Sequence, residues 1–316
     1  MKAAIVVEAG RHPVYGDFRD PTPAPGKRIV RVTASAISHL TKGRAGGAHY
    51  SADAKPPFVP GVDGVGVTDD GQRVYFAMPE APFGGMAERC LVDERRCFAI
   101  PDDLDDVVAA AMANAAMSSW AALVERAQLR AGETVLVNGA TGSSGRLAIQ
   151  IAKHLGAAKV IATGRRTETF DDLRRLGADA TIALGDRDAL EAAFMREFAQ
   201  RIDVVLDYVW GASAETALIA AAKAGPDGVP IRFVQIGSIG GTNVSLPGAV
   251  LRSSALQLMG SGIGSVPLPK LLGSIRAALT VAPSAGFEIA TRALPLREVA
   301  NAWAAPDGDA RIVLIP

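Results

Sequence analysis

The first hundred residues are a succession of short β-like runs that are interrupted by Gly and Pro. Close spacing of strand signals, with no helical segments between them, is typical of a compact, barrel-like β domain. We therefore expect such a domain at the N-terminus. The runs that predict its strands are Lys2–Glu8, Lys27–Ala36, Gly64–Thr68, Arg73–Ala77 and Ala87–Val92.

The pattern changes near residue 104, where alanine-rich helical segments begin at Leu104–Ala116 and Ser119–Ala127. Apolar strand segments then alternate with helical segments, which indicates a parallel sheet covered on both faces. Right-handed crossovers make such a sheet doubly wound. The predicted strands are Thr134–Asn138, Lys159–Thr163, Ala180–Ala183, Val204–Asp207, Arg232–Ile236 and Gln257–Ser261, and the helices between them include Arg146–Leu155, Phe170–Leu176, Ala189–Phe198 and Ala212–Ala222.

The end of the chain returns to the first pattern with an apolar strand, Arg311–Ile315. We therefore expect the C-terminus to fold back onto the N-terminal domain. The fold class is α/β, with one domain formed by residues 1–118 and 264–316 and a second domain, which contains the doubly wound sheet, at 119–263.

Charge and composition exclude several classes of function. The 316 residues carry 33 Lys and Arg against 33 Asp and Glu, so the surplus of positive charge that nucleic acids or anionic membranes attract is absent. The uncharged stretch Val107–Val124 is rich in alanine and contains Asn114, which predicts a buried helix rather than a membrane span. The N-terminal apolar run is too short for a signal peptide, and we expect a cytoplasmic protein.

Cysteine and histidine spacings predict neither a disulfide framework nor a metal site. The two cysteines, Cys90 and Cys97, are too few to cross-link a chain of this size, and their gap fits no common zinc knuckle. The four histidines are scattered without the spacing of metal ligands.

The most informative segment is a glycine-rich turn that joins the strand Thr134–Asn138 to the next helix through Gly139-x-x-Gly142-x-x-Gly145. In a dinucleotide-binding turn, one glycine permits the tight turn, another lets the backbone approach a pyrophosphate, and the last lets helix and strand pack closely. The helix N-terminus offers N–H groups and partial positive charge to the phosphates. The predicted cofactor-binding residues here are Gly139, Ala140, Thr141, Gly142, Ser143, Ser144 and Gly145.

The end of the following strand distinguishes the two nicotinamide cofactors. An NAD site usually has Asp or Glu there, whereas this strand ends with Thr163 and Gly164, followed by Arg165 and Arg166. Two guanidinium groups where a 2′-phosphate would lie predict NADP binding through these four residues. The alternative is that both arginines are ordinary solvated side chains at a helix start.

Several motifs in this order resemble one protein family. The chain is similar to zinc-independent medium-chain dehydrogenases/reductases of the quinone oxidoreductase type, and the resemblance covers essentially the whole chain. It implies a GroES-like β-barrel domain, completed by the C-terminus, beside a Rossmann domain. The motifs are Pro60–Gly66, Val135–Gly145, Leu176–Asp179, Asp203–Asp207 and Arg311–Leu314.

Departures from the wider family concern zinc. Zinc-dependent members carry Gly-His-Glu where this chain has Gly61-Val62-Asp63, and a cysteine where it has Ser38. Their four-cysteine zinc lobe is also absent. The resemblance therefore implies hydride transfer from NADPH to a quinone or activated alkene, without a Lewis acid. A catalytically weak NADPH-binding protein with a structural or regulatory role is the alternative.

The resemblance also implies further site residues. Ser38, Thr41 and Tyr50 would line the substrate side, with the register of Tyr50 shifted by one or two inserted residues. A surface position for Tyr50 is an open alternative. The turn Ile236, Gly237 and Ser238 would approach the nicotinamide end of the cofactor, together with Ser118.

The last predicted core strand suggests a homodimer. Ala255–Ile263 is apolar and uncharged, and the sixth strand of a doubly wound sheet lies at an edge, where its backbone groups lack partners. Pairing with the same edge of a second copy would satisfy those groups, as it does in relatives. Alternatively, the C-terminal residues, or Pro267 and Pro269, cap the edge within one subunit.

Overall fold

A computed structural model describes residues 1–47, 49, 55–306 and 308–316. The chain forms two compact units, one of residues 1–114 and 275–316 and the other of residues 115–274. The domain boundaries predicted from the sequence, after residue 118 and before residue 264, differ from the boundaries of these units.

The elements are numbered in chain order. The strands are β1 (Lys2–Ile5), β2 (Val14–Asp17), β3 (Lys27–Ala36), β4 (Asp63–Thr68), β5 (Arg73–Ala77), β6 (Arg89–Asp93), β7 (Cys97–Ala99), β8 (Thr134–Asn138), β9 (Lys159–Gly164), β10 (Ala180–Ala183), β11 (Val204–Asp207), β12 (Ile231–Gln235), β13 (Leu256–Gly260), β14 (Thr291–Pro295) and β15 (Arg311–Ile315). The helices are α1 (His39–Ala45), α2 (Asp106–Ala121), α3 (Ser143–His154), α4 (Phe170–Arg175), α5 (Arg187–Ala199), α6 (Gly211–Ala224), α7 (Gly248–Arg252), α8 (Leu268–Ala285) and α9 (Val299–Ala304).

The first unit is built on a mixed sheet with the strand order β14-β15-β3-β4-β5-β7, in which β6 also pairs with β3. Strand β15 runs antiparallel to β3, with Val313 opposite Ala36. This pairing confirms that the C-terminus completes the N-terminal domain. One side of the sheet packs around Val30, Val74 and Phe76, all of which are almost completely buried.

The second unit contains a six-stranded sheet with the order β10-β9-β8-β11-β12-β13. All of its pairings are parallel, which confirms the predicted doubly wound sheet. The middle residues of its central strands are apolar because helices cover both faces; Leu136, Val205 and Leu206, for example, have no exposed surface.

Helix α2 corrects one prediction, because it continues through the position where the sequence pattern predicts a break. The hydroxyl groups of Ser118 and Ser119 donate to the carbonyl oxygens of Ala115 and Ala116, at 2.7 and 3.1 Å, so both polar side chains are satisfied within the helix. A single π-helical turn, Ala122–Arg126, follows directly.

The combined segment Asp106–Arg126 is long and apolar enough to cross a membrane by length and composition. However, 61% of its most apolar window is buried inside the protein, as expected for a core helix.

Candidate active site

A buried polar network connects the carboxyl ends of three neighbouring strands, β8, β9 and β11. The Asn138 amide donates to Asp207 Oδ1 at 2.8 Å, and the Thr163 hydroxyl donates to Asn138 Oδ1 at 2.7 Å. None of these three side chains is exposed, and burial raises the pKa of the Asp207 carboxyl. Because each polar group has a partner, the network fixes the strand ends relative to one another.

The glycine turn, residues 139–145, starts from this network, since the Gly139 N–H donates to the Thr163 hydroxyl at 3.0 Å. Gly139 has a φ of +90°, and a Cβ there would lie 2.6 Å from Val209 Cγ2. A Cβ on Gly145 would lie 2.5 Å from the Gly139 carbonyl oxygen. The first glycine therefore permits the turn, and the last permits close packing of α3 against it.

Gly142 differs from the other two glycines, because its φ is −84° and a Cβ there would meet no atom of the protein within 4 Å. It precedes α3, whose N-terminus has no side-chain cap and no acidic residue in its first turn. An open backbone beside an uncapped helix N-terminus fits the diphosphate of a dinucleotide. The partly exposed Ser143 and Ser144 stand in the same helical turn.

Positive charge lies beside the glycine turn. The Arg166 guanidinium donates to the Thr141 carbonyl oxygen at 3.0 Å, and the Arg146 Nε donates to the same oxygen at 3.3 Å. Arg165 is exposed and forms no hydrogen bond or ion pair with any residue that the structure describes. Arg146 is a basic residue that sequence reasoning missed, although its place directly after Gly145 could have drawn attention to it.

Two of the residues predicted around these arginines contribute to the shape of the turn. Thr163 is fully buried and uses its hydroxyl within the strand-end network. At Gly164, a Cβ would lie 2.3 Å from Thr141 Cγ2, so only glycine lets β9 end this close to the turn. Direct contact of either residue with a cofactor stays a prediction.

The second predicted turn, Ile236–Ser238, is fastened to the end of β11. The N–H groups of Ile236 and Gly237 both donate to the Asp207 carbonyl oxygen, at 2.8 and 3.1 Å. A Cβ on Gly237 would lie 2.6 Å from the Tyr208 carbonyl oxygen, so this approach also requires glycine. The Asp207 carbonyl oxygen thus binds this turn, and the Asp207 carboxylate belongs to the polar network at the ends of β8, β9 and β11.

Tyr208 connects these turns to Ser118. Its hydroxyl lies 3.2 Å from the Ser118 hydroxyl, and burial raises the pKa of Tyr208 to about 12. The structure therefore brings Ser118 to the end of β11, near the elements predicted to hold the cofactor. Tyr208 stands in no motif; its position immediately after an apolar strand is the signal that could have identified it.

The predicted substrate-side residues belong to the other unit. Ser38 forms the N-cap of α1: its hydroxyl accepts a hydrogen bond from the Thr41 N–H at 3.0 Å and lies 2.9 Å from the Thr41 hydroxyl. Both side chains are almost completely buried, and their contact with a substrate stays a prediction. The segment after Ser38 is helical, where a loop is expected. Tyr50 lies outside the described residues.

The position at which zinc-dependent relatives carry a ligand has a different chemistry here. Val62 is aliphatic and buried, and the Asp63 carboxylate accepts a hydrogen bond from the Tyr75 hydroxyl at 2.9 Å. Burial raises the pKa of Asp63 to about 6. Among residues 1–47, 49, 55–306 and 308–316, no three His, Cys, Asp or Glu side chains come together as a metal site would require.

Comparisons with known proteins agree with this geometry. Residues 145–276 match the zinc-binding dehydrogenase family model. The chain is 29% identical to a probable NADPH-dependent quinone reductase of Emericella nidulans, over 100% of both chains. It is 30% identical to a 2-haloacrylate reductase of a Burkholderia species, over 70% of this chain and 72% of the relative.

Solved structures show the same fold over the full length. The quinone oxidoreductase of Thermus thermophilus, which was also solved in complex with NADPH, superposes with a TM-score of 0.82 at 27% identity and covers 100% of both chains. A probable oxidoreductase of Mycobacterium abscessus gives a TM-score of 0.81 at 28% identity, over 100% of this chain and 99% of that one. The chain therefore belongs to the medium-chain dehydrogenase/reductase family, among its quinone oxidoreductase-like members.

Proposed function

We propose that this protein is an NADPH-dependent oxidoreductase that reduces a quinone or an activated alkene without zinc. The observation that carries the proposal is the glycine turn with its open face at Gly142, beside the guanidinium groups of Arg146 and Arg166. The exposed Arg165 precedes Arg166 in the chain. An uncapped helix N-terminus suits a diphosphate, and guanidinium groups suit a 2′-phosphate.

The cofactor is NADPH. When bound, its nicotinamide supplies a hydride to the acceptor, and one proton completes a two-electron reduction that yields NADP⁺ and a hydroquinone or a saturated product. The Thermus thermophilus structure with NADPH and the NADPH-dependent quinone reductase of Emericella nidulans support this choice. So does the end of β9, which offers no carboxylate to a ribose 2′-hydroxyl group.

The chain's own residues bind and orient the cofactor. The glycine turn holds the diphosphate, and Arg165 and Arg166 bind the 2′-phosphate. Asp207 keeps the turn Ile236–Ser238 in place for the nicotinamide end, because its carbonyl oxygen accepts hydrogen bonds from the N–H groups of Ile236 and Gly237. Holding the two reactants in one orientation is the main contribution a protein makes to this kind of hydride transfer.

The acceptor is a compound with an electron-poor double bond. Quinones and haloacrylates, the substrates named for the two relatives, both belong to this class. Two residues support zinc independence. Val62 offers no ligand atom, and the Asp63 carboxylate already accepts a hydrogen bond from the Tyr75 hydroxyl.

The function is tested by mixing the protein with NADPH and either quinones or enones. The loss of nicotinamide absorbance measures the oxidation of NADPH. We expect turnover with acceptors of both classes and little with saturated alcohols and NADP⁺. Tight NADPH binding without turnover of any acceptor would instead support the alternative of a structural or regulatory NADPH-binding protein.

The assembly we propose is a homodimer formed through β13. This strand is an edge of the six-stranded sheet, and Leu258 on it is 40% exposed. An apolar edge strand without charges is a surface that a second copy can cover by extending the sheet.

A further inference from the structure

Tyr208 stands at the point where the strand order of the six-stranded sheet reverses. The chain adds β9 and β10 on one side of β8 and then crosses over to add β11, β12 and β13 on the other side. In such sheets, ligands bind outside the carboxyl ends of the strands, in the crevice at this reversal. Tyr208 directly follows β11, and its N–H donates to the carbonyl oxygen of Asn138 at the end of β8, at 3.0 Å. It is therefore attached to both strands that border the crevice.

Both turns proposed to hold the cofactor pack against Tyr208. A Cβ on Gly139, in the glycine turn, would lie 3.4 Å from Tyr208 Cβ. A Cβ on Gly237, in the other turn, would lie 2.6 Å from the Tyr208 carbonyl oxygen. These turns are the ones that we assign to the diphosphate and to the nicotinamide end of NADPH. Since an acceptor receives hydride from the nicotinamide, Tyr208 lies next to the place that we assign to the reaction.

The phenol of Tyr208 is an acid that keeps its proton at neutral pH. It is the only tyrosine among residues 115–274, and the residue is partly exposed. Its hydroxyl lies 3.2 Å from the Ser118 hydroxyl, which donates to the Ala115 carbonyl oxygen at 2.7 Å. Because a serine hydroxyl carries one proton, Tyr208 is the donor to Ser118 in this pair. Burial raises the pKa of Tyr208 to about 12, so the phenol is not ionised.

The neighbouring acid, Asp207, does not offer the same chemistry. Its side chain is fully buried. Its carboxylate accepts hydrogen bonds from the Asn138 amide at 2.8 Å and from the N–H groups of Val209 and Trp210 at 3.0 and 3.1 Å. A group that is enclosed and engaged in these bonds does not reach an acceptor, whereas the hydroxyl of Tyr208 ends at a single partner that is itself partly exposed.

We propose that Tyr208 is the proton donor to alkene acceptors and that Ser118 assists it. This inference rests on the proposed function. The β-carbon of an activated alkene receives hydride, the electrons of the double bond move toward the activating group, and the α-carbon then takes the proton of the Tyr208 hydroxyl. The O–H bond breaks and its electron pair stays on the phenolate oxygen. The Ser118 hydroxyl turns from the Ala115 carbonyl oxygen to donate to the phenolate, and a proton from water restores the phenol.

Quinones need no such donor. A quinone that has accepted hydride carries its negative charge on oxygen, and an oxygen anion takes a proton from water rapidly. Carbon is protonated far more slowly, so a positioned general acid accelerates the reduction of alkenes in particular. The proposal therefore predicts that one hydroxyl group distinguishes two classes of acceptor.

The test measures kcat for the parent, Y208F and S118A with cyclohex-2-enone and with 1,4-naphthoquinone. Y208F keeps the ring and removes only the hydroxyl. We expect its kcat for cyclohexenone to fall about 100-fold and its kcat for naphthoquinone to stay within about twofold. S118A should lose about fivefold with cyclohexenone, which is the effect of one hydrogen bond. Y15F is the matched control and should change neither rate, because Tyr15 is an exposed tyrosine of β2.

Fluorescence titration of NADPH separates proton donation from cofactor binding. The Kd for NADPH should stay within about twofold in Y208F, because the hydroxyl acts on the acceptor in the transition state. A loss of NADPH affinity that accounts for the lost activity would assign the phenol to the cofactor and would overturn the proposal.

The remaining outcomes separate this inference from the proposed function. Equal losses for the two acceptors in a folded Y208F, or in S118A if Y208F does not fold, would overturn the inference alone. So would full activity of Y208F with cyclohexenone, or a selective loss in Y50F in its place. A parent that reduces naphthoquinone but not cyclohexenone would also contradict it. If the parent reduces neither acceptor, the proposed function fails and the inference fails with it.

Discussion

The guanidinium of Arg166 donates a hydrogen bond to the carbonyl oxygen of Thr141 at 3.0 Å. This bond attaches the Arg166 side chain to the glycine turn, whereas the adjacent Arg165 is exposed. We proposed above that these two arginines bind the 2′-phosphate of NADPH.

Replacement of both Arg165 and Arg166 by alanine should weaken NADPH binding and leave NADH binding nearly unchanged, because only NADPH carries the 2′-phosphate. Each lost charge-assisted contact should cost about 1.5–3 kcal/mol. Fluorescence titration of both cofactors measures the effect. Arg174→Ala is the control, since Arg174 is an exposed arginine of α4 that pairs with Asp171. Equal losses for the two cofactors would contradict the assignment.

Stability should fall as pH rises through the titration of Asp63. Burial raises the pKa of Asp63 to about 6 from 3.8, so the folded protein binds more protons than the unfolded chain between these values. The free energy of unfolding should therefore decrease from about pH 4 to pH 6, by up to about 3 kcal/mol.

Urea denaturation of the parent and of Asp63→Asn across this pH range measures the contribution. The substituted protein has no carboxyl group at this position and should lose that part of the pH dependence. The same slope in both proteins would show that another group is responsible.

Prolonged treatment with EDTA should change neither the fold nor the activity. Val62 occupies the position at which zinc-dependent relatives place a ligand histidine, and the Asp63 carboxylate already accepts a hydrogen bond from the Tyr75 hydroxyl. Metal analysis of the purified protein, with activity assays before and after chelation, checks this. Stoichiometric zinc whose removal abolishes activity would refute zinc independence.

A lysine in place of Leu258 should separate the proposed dimer, because it introduces a charge into the apolar edge strand β13. Light scattering should give the mass of two chains for the parent and of one chain for Leu258→Lys. Gln257→Lys is the control. It adds the same charge at an exposed neighbouring position without removing an apolar side chain. A parent mass near one chain would exclude the dimer.

The sheet of the second unit could be predicted closely from the sequence. The predicted strands Thr134–Asn138, Ala180–Ala183 and Val204–Asp207 have the observed bounds, because continuous apolar runs between turn residues leave little ambiguity. The glycine turn could also be predicted, because its spacing follows from steric requirements that the structure shows at Gly139 and Gly145.

Features that depend on individual hydrogen bonds could not be predicted from the residue pattern. The hydroxyls of Ser118 and Ser119 look like a helix break in the sequence, yet each is satisfied by a carbonyl group of the same helix. The backbone of Trp210 is dictated by the carboxylate of Asp207, and nothing in the local sequence indicates a glycine-like conformation there.

The most direct test of the account is the transfer of deuterium from NADPH labelled at the reactive position of the nicotinamide to an enone. Mass spectrometry of the product should show one deuterium on the carbon that accepts the hydride, with a matching amount of NADP⁺ formed. An unlabelled product, or cofactor that binds without being oxidised by any quinone or enone, would contradict the proposal that this protein is an NADPH-dependent reductase.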